Sequence, residues 1–158
     1  MEKVKQDLHI YNSALEIDNE EATNLKLEYE FYDFSIVHYE NGKKESETKK
    51  AILFEIIGKL KDKREVSFEF ELHLSLDELN KFPKKPVDIS KYIGFDYLPL
   101  RVGDDARDIV IVSEKKDIND IYKKLSSALI YKEKKNLFLI KLHFPEENFF
   151  TYFEVDFN

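Results

Sequence analysis

From Val66 to Leu76 every second residue is apolar: Val66, Phe68, Phe70, Leu72, Leu74 and Leu76 alternate with Glu65, Ser67, Glu69, Glu71, His73 and Ser75. A period of two is the mark of a strand with one buried face and one open face. Two further strands precede it. Leu25, Leu27, Tyr29 and Phe31 alternate with Lys26, Glu28 and Glu30, and Ile52, Phe54, Ile56, Gly58 and Leu60 share a face of the next run. Asn41-Gly42 lies between these two, and both residue types accept the positive φ of a type I′ hairpin turn. Asp62-Lys63-Arg64 supplies the second turn. Residues 25–76 therefore read as a meander of three antiparallel strands.

Turn length sets the register, because directly opposed residues must share a face. A two-residue Asn-Gly loop pairs Glu40 with Lys43, which brings Phe31 to Ile52, Tyr29 to Phe54 and Leu27 to Ile56. A three-residue loop at Asp62-Lys63-Arg64 pairs Lys61 with Glu65, then Gly58 with Phe68, Ile56 with Phe70 and Phe54 with Leu72. Apolar residues meet throughout. On the opposite face this register aligns Glu28, Glu55 and Glu71 in one row, with Glu30, Leu53 and His73 beside it. Like charges in direct opposition are destabilising. Such a row is either a solvated face neutralised diagonally by Lys26, Lys59 and Lys61, or a binding surface for a partner's basic side chains. The candidate binding residues are Glu28, Glu30, Glu55, Glu69, Glu71 and His73. A divalent cation on Glu55, Glu71 and His73 is chemically admissible, but one imidazole among dispersed carboxylates does not define a metal centre, and no metal or cofactor is expected.

The rest of the chain adds shorter elements. Leu8, Ile10, Leu15 and Ile17 around Asn12-Ser13 suggest a small hairpin or one broken strand, followed by an acidic loop at residues 18–21. After Phe31 the apolar phase slips to Tyr32, Phe34 and Ile36, read as a distal ribbon that buries its opposite face in preference to a bulge. Ser75-Leu76-Asp77-Glu78 has capping-box spacing and opens a short helix over 76–82, closed by Pro83 and Pro86. Asp88 caps a turn from Ile89 to Ile93, within a long connector over 83–106 that reads as a functional loop or a crossover between sheets. Ile109-Val110-Ile111-Val112 is a buried strand. Beyond Asp117, the spacing of Ile118, Ile121, Tyr122, Leu125, Ala128 and Leu129 predicts the main helix, over 118–131. A C-terminal hairpin over 137–157 follows, whose four-residue loop pairs Phe144 with Phe149, Ile140 with Phe153 and Phe138 with Val155. The expectation is one α+β domain spanning 1–158: an antiparallel sheet or sandwich of about seven strands, packed with one main helix and one short helix.

Composition limits function more than it assigns it. The 158 residues include 13 Phe and 9 Tyr, ample for a core, and no Cys, which removes disulfides and thiol chemistry. No apolar run is long enough for a membrane helix, so a cytoplasmic protein without membrane contact is expected. The formal charge is −7, with the excess at both ends: residues 1–30 hold eight acids against three lysines, and residues 145–158 hold four acids and no base. Acidic ends disfavour direct binding to nucleic-acid phosphates. Among 25 basic residues only Arg64, Arg101 and Arg107 are arginine, a bias associated with low-GC bacteria and their phages. His9, His38, His73 and His143 are scattered one per strand, and no phosphate-binding glycine loop is present. The Gly103–Asp108 stretch lacks the alternating oxygen ligands of a calcium loop.

One segment, Asp108 through Glu114 to Lys116, resembles part of the PD-(D/E)xK nuclease pattern, an apolar strand ending in Glu-x-Lys ahead of a helix. The resemblance implies acids holding a divalent metal and a lysine assisting water. It covers nine residues, its acid-to-acid spacing is short for the family, and Asp108 lacks the preceding proline. A metal-dependent nuclease is therefore the third expectation. The first is a non-enzymatic acidic module that binds a basic protein surface, such as a host nucleic-acid enzyme, as an inhibitor of the anti-CRISPR type encoded by a phage or mobile element. The second is a structural or assembly component of such an element.

Overall fold

A computed structural model describes residues 3–8, 12–94, 109–112, 127–145 and 148–158. In chain order it forms β1 (Val4–Asp7), β2 (Ser13–Ile17), β3 (Glu20–Glu21), β4 (Thr23–Glu40), β5 (Lys43–Lys59), β6 (Glu65–Leu72), helix α1 (Leu76–Asn80), β7 (Val87–Asp88), a 3-10 turn (Ser90–Tyr92), β8 (Ile93–Gly94), β9 (Ile109–Val112), β10 (Ser127–Lys134), β11 (Leu137–Phe144) and β12 (Phe149–Asp156). The first sheet has the order β1-β4-β5-β6-β8, with β9 parallel to the distal part of β4; the second has the order β3-β2-β12-β11-β10-β7.

The two sheets face each other across one apolar core. Leu27, Tyr29, Ile52, Phe54, Ile56, Phe70 and Leu72 come from the first, and Leu15, Ile130, Phe138, Ile140, Leu142, Phe153 and Val155 from the second. Ring contacts stitch them together: Phe54 to Phe153 at 5.7 Å, Phe70 to Phe153 at 6.1 Å and Phe68 to Phe149 at 4.3 Å between centroids. Alternation along each strand supplies these inner faces, and the two layers bury each other.

Among the described residues the fold is mostly β, and the expected sheet packed with one main helix is not what they form. Within the span expected to be helical, Ser127 to Tyr131 belong to β10, while residues 118–126 lie outside those described. Ala128 faces Leu142 and Ile130 faces Ile140 across β11, both almost wholly buried. The apolar positions of that stretch fit both periods. Pairing with β11 and burial of the alternate residues decide in favour of the strand, since local preference yields to tertiary packing. The short helix does form, at Leu76–Asn80, with both halves of its box in place: Glu78 N–H donates to Ser75 Oγ and Ser75 N–H donates to Glu78 Oε1. The 83–106 connector carries β7 to the second sheet and β8 to the first, so its described part is a crossover; residues 95–106 are not described.

Register separates the two turns of the meander. β4 and β5 pair continuously from Lys26–Ile57 to Glu40–Lys43, through Leu27–Ile56, Tyr29–Phe54 and Phe31–Ile52. Asn41 and Gly42 have φ of 53° and 78°, as a type I′ tip requires. The phase slip after Phe31 is therefore not a bulge; the break in this ladder lies between Thr23 and Lys26. The second turn is wider than three residues. Lys59 pairs with Glu65, Leu60 N–H donates to Arg64 O, and Lys63 takes φ of 68°. Every pair beyond it moves by two: Gly58 meets Val66, Ile56 meets Phe68, Phe54 meets Phe70 and Ile52 meets Leu72. A two-residue slip leaves every side chain on its original face, so matching apolar residues cannot detect it. The C-terminal hairpin pairs Phe144 with Phe149, Ile140 with Phe153 and Phe138 with Val155.

The described N-terminal strands do not pair with each other. β1 pairs with β4 in the first sheet and β2 with β12 in the second, so the chain passes between layers.

Candidate acidic interface

The corrected register redraws the acidic row. Glu28 lies opposite Glu55, and Glu55 lies opposite Glu69, not Glu71; Glu30, Leu53 and Glu71 form the neighbouring row. β1 extends the first row by one strand, because Lys5 faces Glu28. Lys3 Nζ lies 3.6 Å from Glu28 Oε2 and Lys5 Nζ 3.7 Å from Glu28 Oε1. Two of the row's cations thus come from the N-terminal segment, both on Glu28. Lys3, Glu28, Tyr29, Glu30, Leu53, Glu55 and Glu69 line a shallow cleft of about 50 Å³.

Glu28, Glu30, Glu55 and Glu69 are half-buried. The Glu55 carboxyl is held above its usual range, first by desolvation and then by the Glu28 charge and a hydrogen bond with Glu28; Lys3 opposes the shift. The Lys3 and Lys5 ion pairs each contribute about 0–1 kcal/mol.

Two residues expected on this surface are not on it. Glu71 and His73 are 1% and 6% exposed, and His73 Nε2 lies 3.1 Å from Glu71 Oε2. Glu71 pairs with Gly94 of β8, and His73 N–H donates to Tyr92 O. Alternation sets both residues apart from Phe70 and Leu72, which lie in the core. It could not reveal that the chain at residues 92–94 returns to close the edge of β6.

A second carboxylate pair was not anticipated. Glu133 sits where a bulge between Lys132 and Lys134 interrupts the β10–β11 ladder, and its carboxyl is pushed up to about 7 by desolvation, then by a hydrogen bond with Glu154 and by the Glu154 charge. Asn12 Nδ2 also donates to Glu154 Oε1, at 3.4 Å. Between the ordinary carboxyl value of 4.5 and about 7, the folded protein retains a proton that the unfolded chain releases. Stability therefore falls as pH rises through that window and levels off above it. The group is partly exposed, so screening limits the effect to roughly 1 kcal/mol. Glu133→Gln is expected to flatten this dependence and to raise the urea midpoint at about pH 8 but not at about pH 4. Equal midpoints at the higher pH would mean that the two carboxylates do not share a proton.

Among the described residues, no group of three or more His, Asp or Glu side chains is placed to hold a metal ion. The nuclease-like residues Asp108, Glu114 and Lys116 lie outside the described residues. No helix among the described residues is long and apolar enough to cross a membrane. The chain matches no protein-family model, no curated protein and no solved structure.

Proposed function

We propose that the protein is a non-catalytic binding module whose outer β4–β5–β6 face receives basic side chains of a protein partner. The observation that carries this reading is the Glu28–Glu55–Glu69 row, three half-buried carboxylates in direct opposition on rigid central strands. Like charges in direct opposition favour basic side chains laid across them, which would add affinity and speed association. The net charge of −7 acts in the same direction at longer range. A nucleic-acid enzyme in the cytoplasm is a suitable target, because its phosphate channel is lined with lysine and arginine. Blocking that channel would make the module an inhibitor of the anti-CRISPR type.

The test is affinity capture from lysate of a low-GC bacterium, with low-salt and high-salt washes read by mass spectrometry. A basic nucleic-acid enzyme held at low salt and shed at high salt is expected. The Glu28→Lys, Glu69→Lys double variant should retain at least about tenfold less of it while unfolding at the same urea concentration. Unchanged retention by the folded variant removes this face as the interface.

A further inference from the structure

We propose that the outer face of the second sheet, with the lysines at its rim, binds single-stranded nucleic acid, one base entering the cleft beside Tyr131 and nearby phosphates meeting Lys85, Lys134 and Lys141. The inference is independent of the acidic face, which belongs to the first sheet.

Alternation sets Tyr131 of β10, Leu139, Lys141 and His143 of β11, and Phe150 and Tyr152 of β12 apart from the neighbours that fill the core. Lys141 and His143 are exposed and the other four half-buried, so this face reaches solvent along its centre. Tyr131 stands opposite Leu139, and Lys141 opposite Tyr152. The Phe150 ring lies 5.7 Å from His143 and 5.7 Å from Tyr152 between centroids. Pro86, Leu129, Tyr131, Leu139 and Lys141 line a cleft of about 160 Å³. An apolar slot with an aromatic ring on its wall and an exposed ammonium group beside it suits a stacked base joined to a phosphate.

Lysines from two distant segments meet at one end of this face. Asn80 joins the segments: its Nδ2 donates to Asn136 Oδ1 at 2.8 Å, its Oδ1 accepts from Asn136 N–H at 2.9 Å, and its main-chain O accepts from Lys132 Nζ at 2.6 Å. β7 pairs Val87 with Ile130, and the same register carried on sets Pro86 level with Tyr131 and Lys85 level with Lys132. Lys84, Lys85, Lys134 and Lys135 are all exposed. The acids beside them compete weakly. Glu133 is hydrogen-bonded to Glu154 with its carboxyl pushed up to about 7, so the pair retains a proton into the neutral range, and Asp88 accepts from Ser90 N–H. Charge read along the chain conceals this cluster, because the acidic excess lies at the two ends and only folding brings residues 81–85 against 132–135. An acidic peptide would satisfy the lysines and leave the cleft empty. A nucleotide strand supplies a flat ring and a phosphate at every step.

The probes are labelled single strands of about ten thymidine or uridine nucleotides, followed by fluorescence anisotropy at low salt, with an abasic strand and a duplex of the same length as controls. The protein is expected to bind a base-bearing single strand at least about tenfold more tightly than either control, with affinity falling as salt rises. Lys85→Gln with Lys134→Gln should weaken that binding at least about tenfold and flatten the salt dependence by roughly 0.7 in logarithmic slope per lysine. Tyr131→Leu, which keeps the cleft apolar, should cost about tenfold on the base-bearing strand and leave the salt dependence unchanged. Urea midpoints check that the variants fold, and the comparison with the abasic strand uses the native chain alone. Three results would each overturn the proposal: no binding of either single strand, equal binding of the abasic strand or the duplex, and full affinity in the folded lysine variant. Full affinity in the folded Tyr131→Leu variant overturns the placement of the base.

Discussion

Phe54→Ala is expected to destabilise the fold by about 3–5 kcal/mol, read as a lower midpoint in urea with an unchanged slope. Phe54 is fully buried on β5, the central strand of the first sheet. Its ring meets Phe70 at 5.1 Å within its own sheet and Phe153 at 5.7 Å and Phe157 at 6.3 Å across the core. Truncation removes the transfer energy of a phenyl ring and leaves a void that continuous strands on every side cannot collapse to fill. Domain stabilities are only about 5–15 kcal/mol, so the variant should be marginal at room temperature. Phe54→Leu, which retains most of the volume, should lose less than half as much. A loss below about 1 kcal/mol for the alanine variant would mean that the two layers do not share this core.

Gly58→Ala, the addition of a single methyl, is expected to cost about 1–3 kcal/mol. A Cβ at this position would lie 2.7 Å from Leu25 Cδ2, 2.9 Å from Ala22 Cβ and 3.4 Å from Thr23 O. The Leu25 methyl ends a flexible side chain and can rotate away, but Ala22 moves only with its backbone. The crowding arises because the ladder breaks between Thr23 and Lys26, with Asn24 at φ of 55°, which folds the start of β4 over Gly58. Ala22→Gly should recover part of the loss in the double variant. If the two changes simply add, Ala22 is not the obstacle.

Much of the first sheet was legible because its signals are local. Alternation from Val66 to Leu76 marks faces, Asn41-Gly42 marks a two-residue turn, and Ser75 with Glu78 marks a helix start; each depends on residues within a few positions of one another. The candidate site was legible only in outline. Glu28, Glu30, Glu55 and Glu69 are on the outer face, but Glu69, not Glu71, completes the row, because the wider turn at residues 60–64 slips β6 by two positions. Composition never pointed to Lys3 and Lys5 as the row's cations, since strand addition by β1 is a contact between segments more than 20 residues apart in sequence.

By itself, then, the sequence determined which face the first part of β4, β5, β6 and the two strands of the C-terminal hairpin would bury, and where the Asn41-Gly42 turn and the short helix would turn the chain. The tertiary structure decided which strands became neighbours. It made Ser127–Lys134 a strand beside β11, sent β1 and β2 to different sheets, and paired residues 92–94 with the edge of β6 at Glu71–His73. The physical reason is one of range. A period of two records only that a residue points inward, and any partner of the right polarity satisfies it, whereas pairing between distant segments is selected by the total area and hydrogen bonding of the assembled sheets.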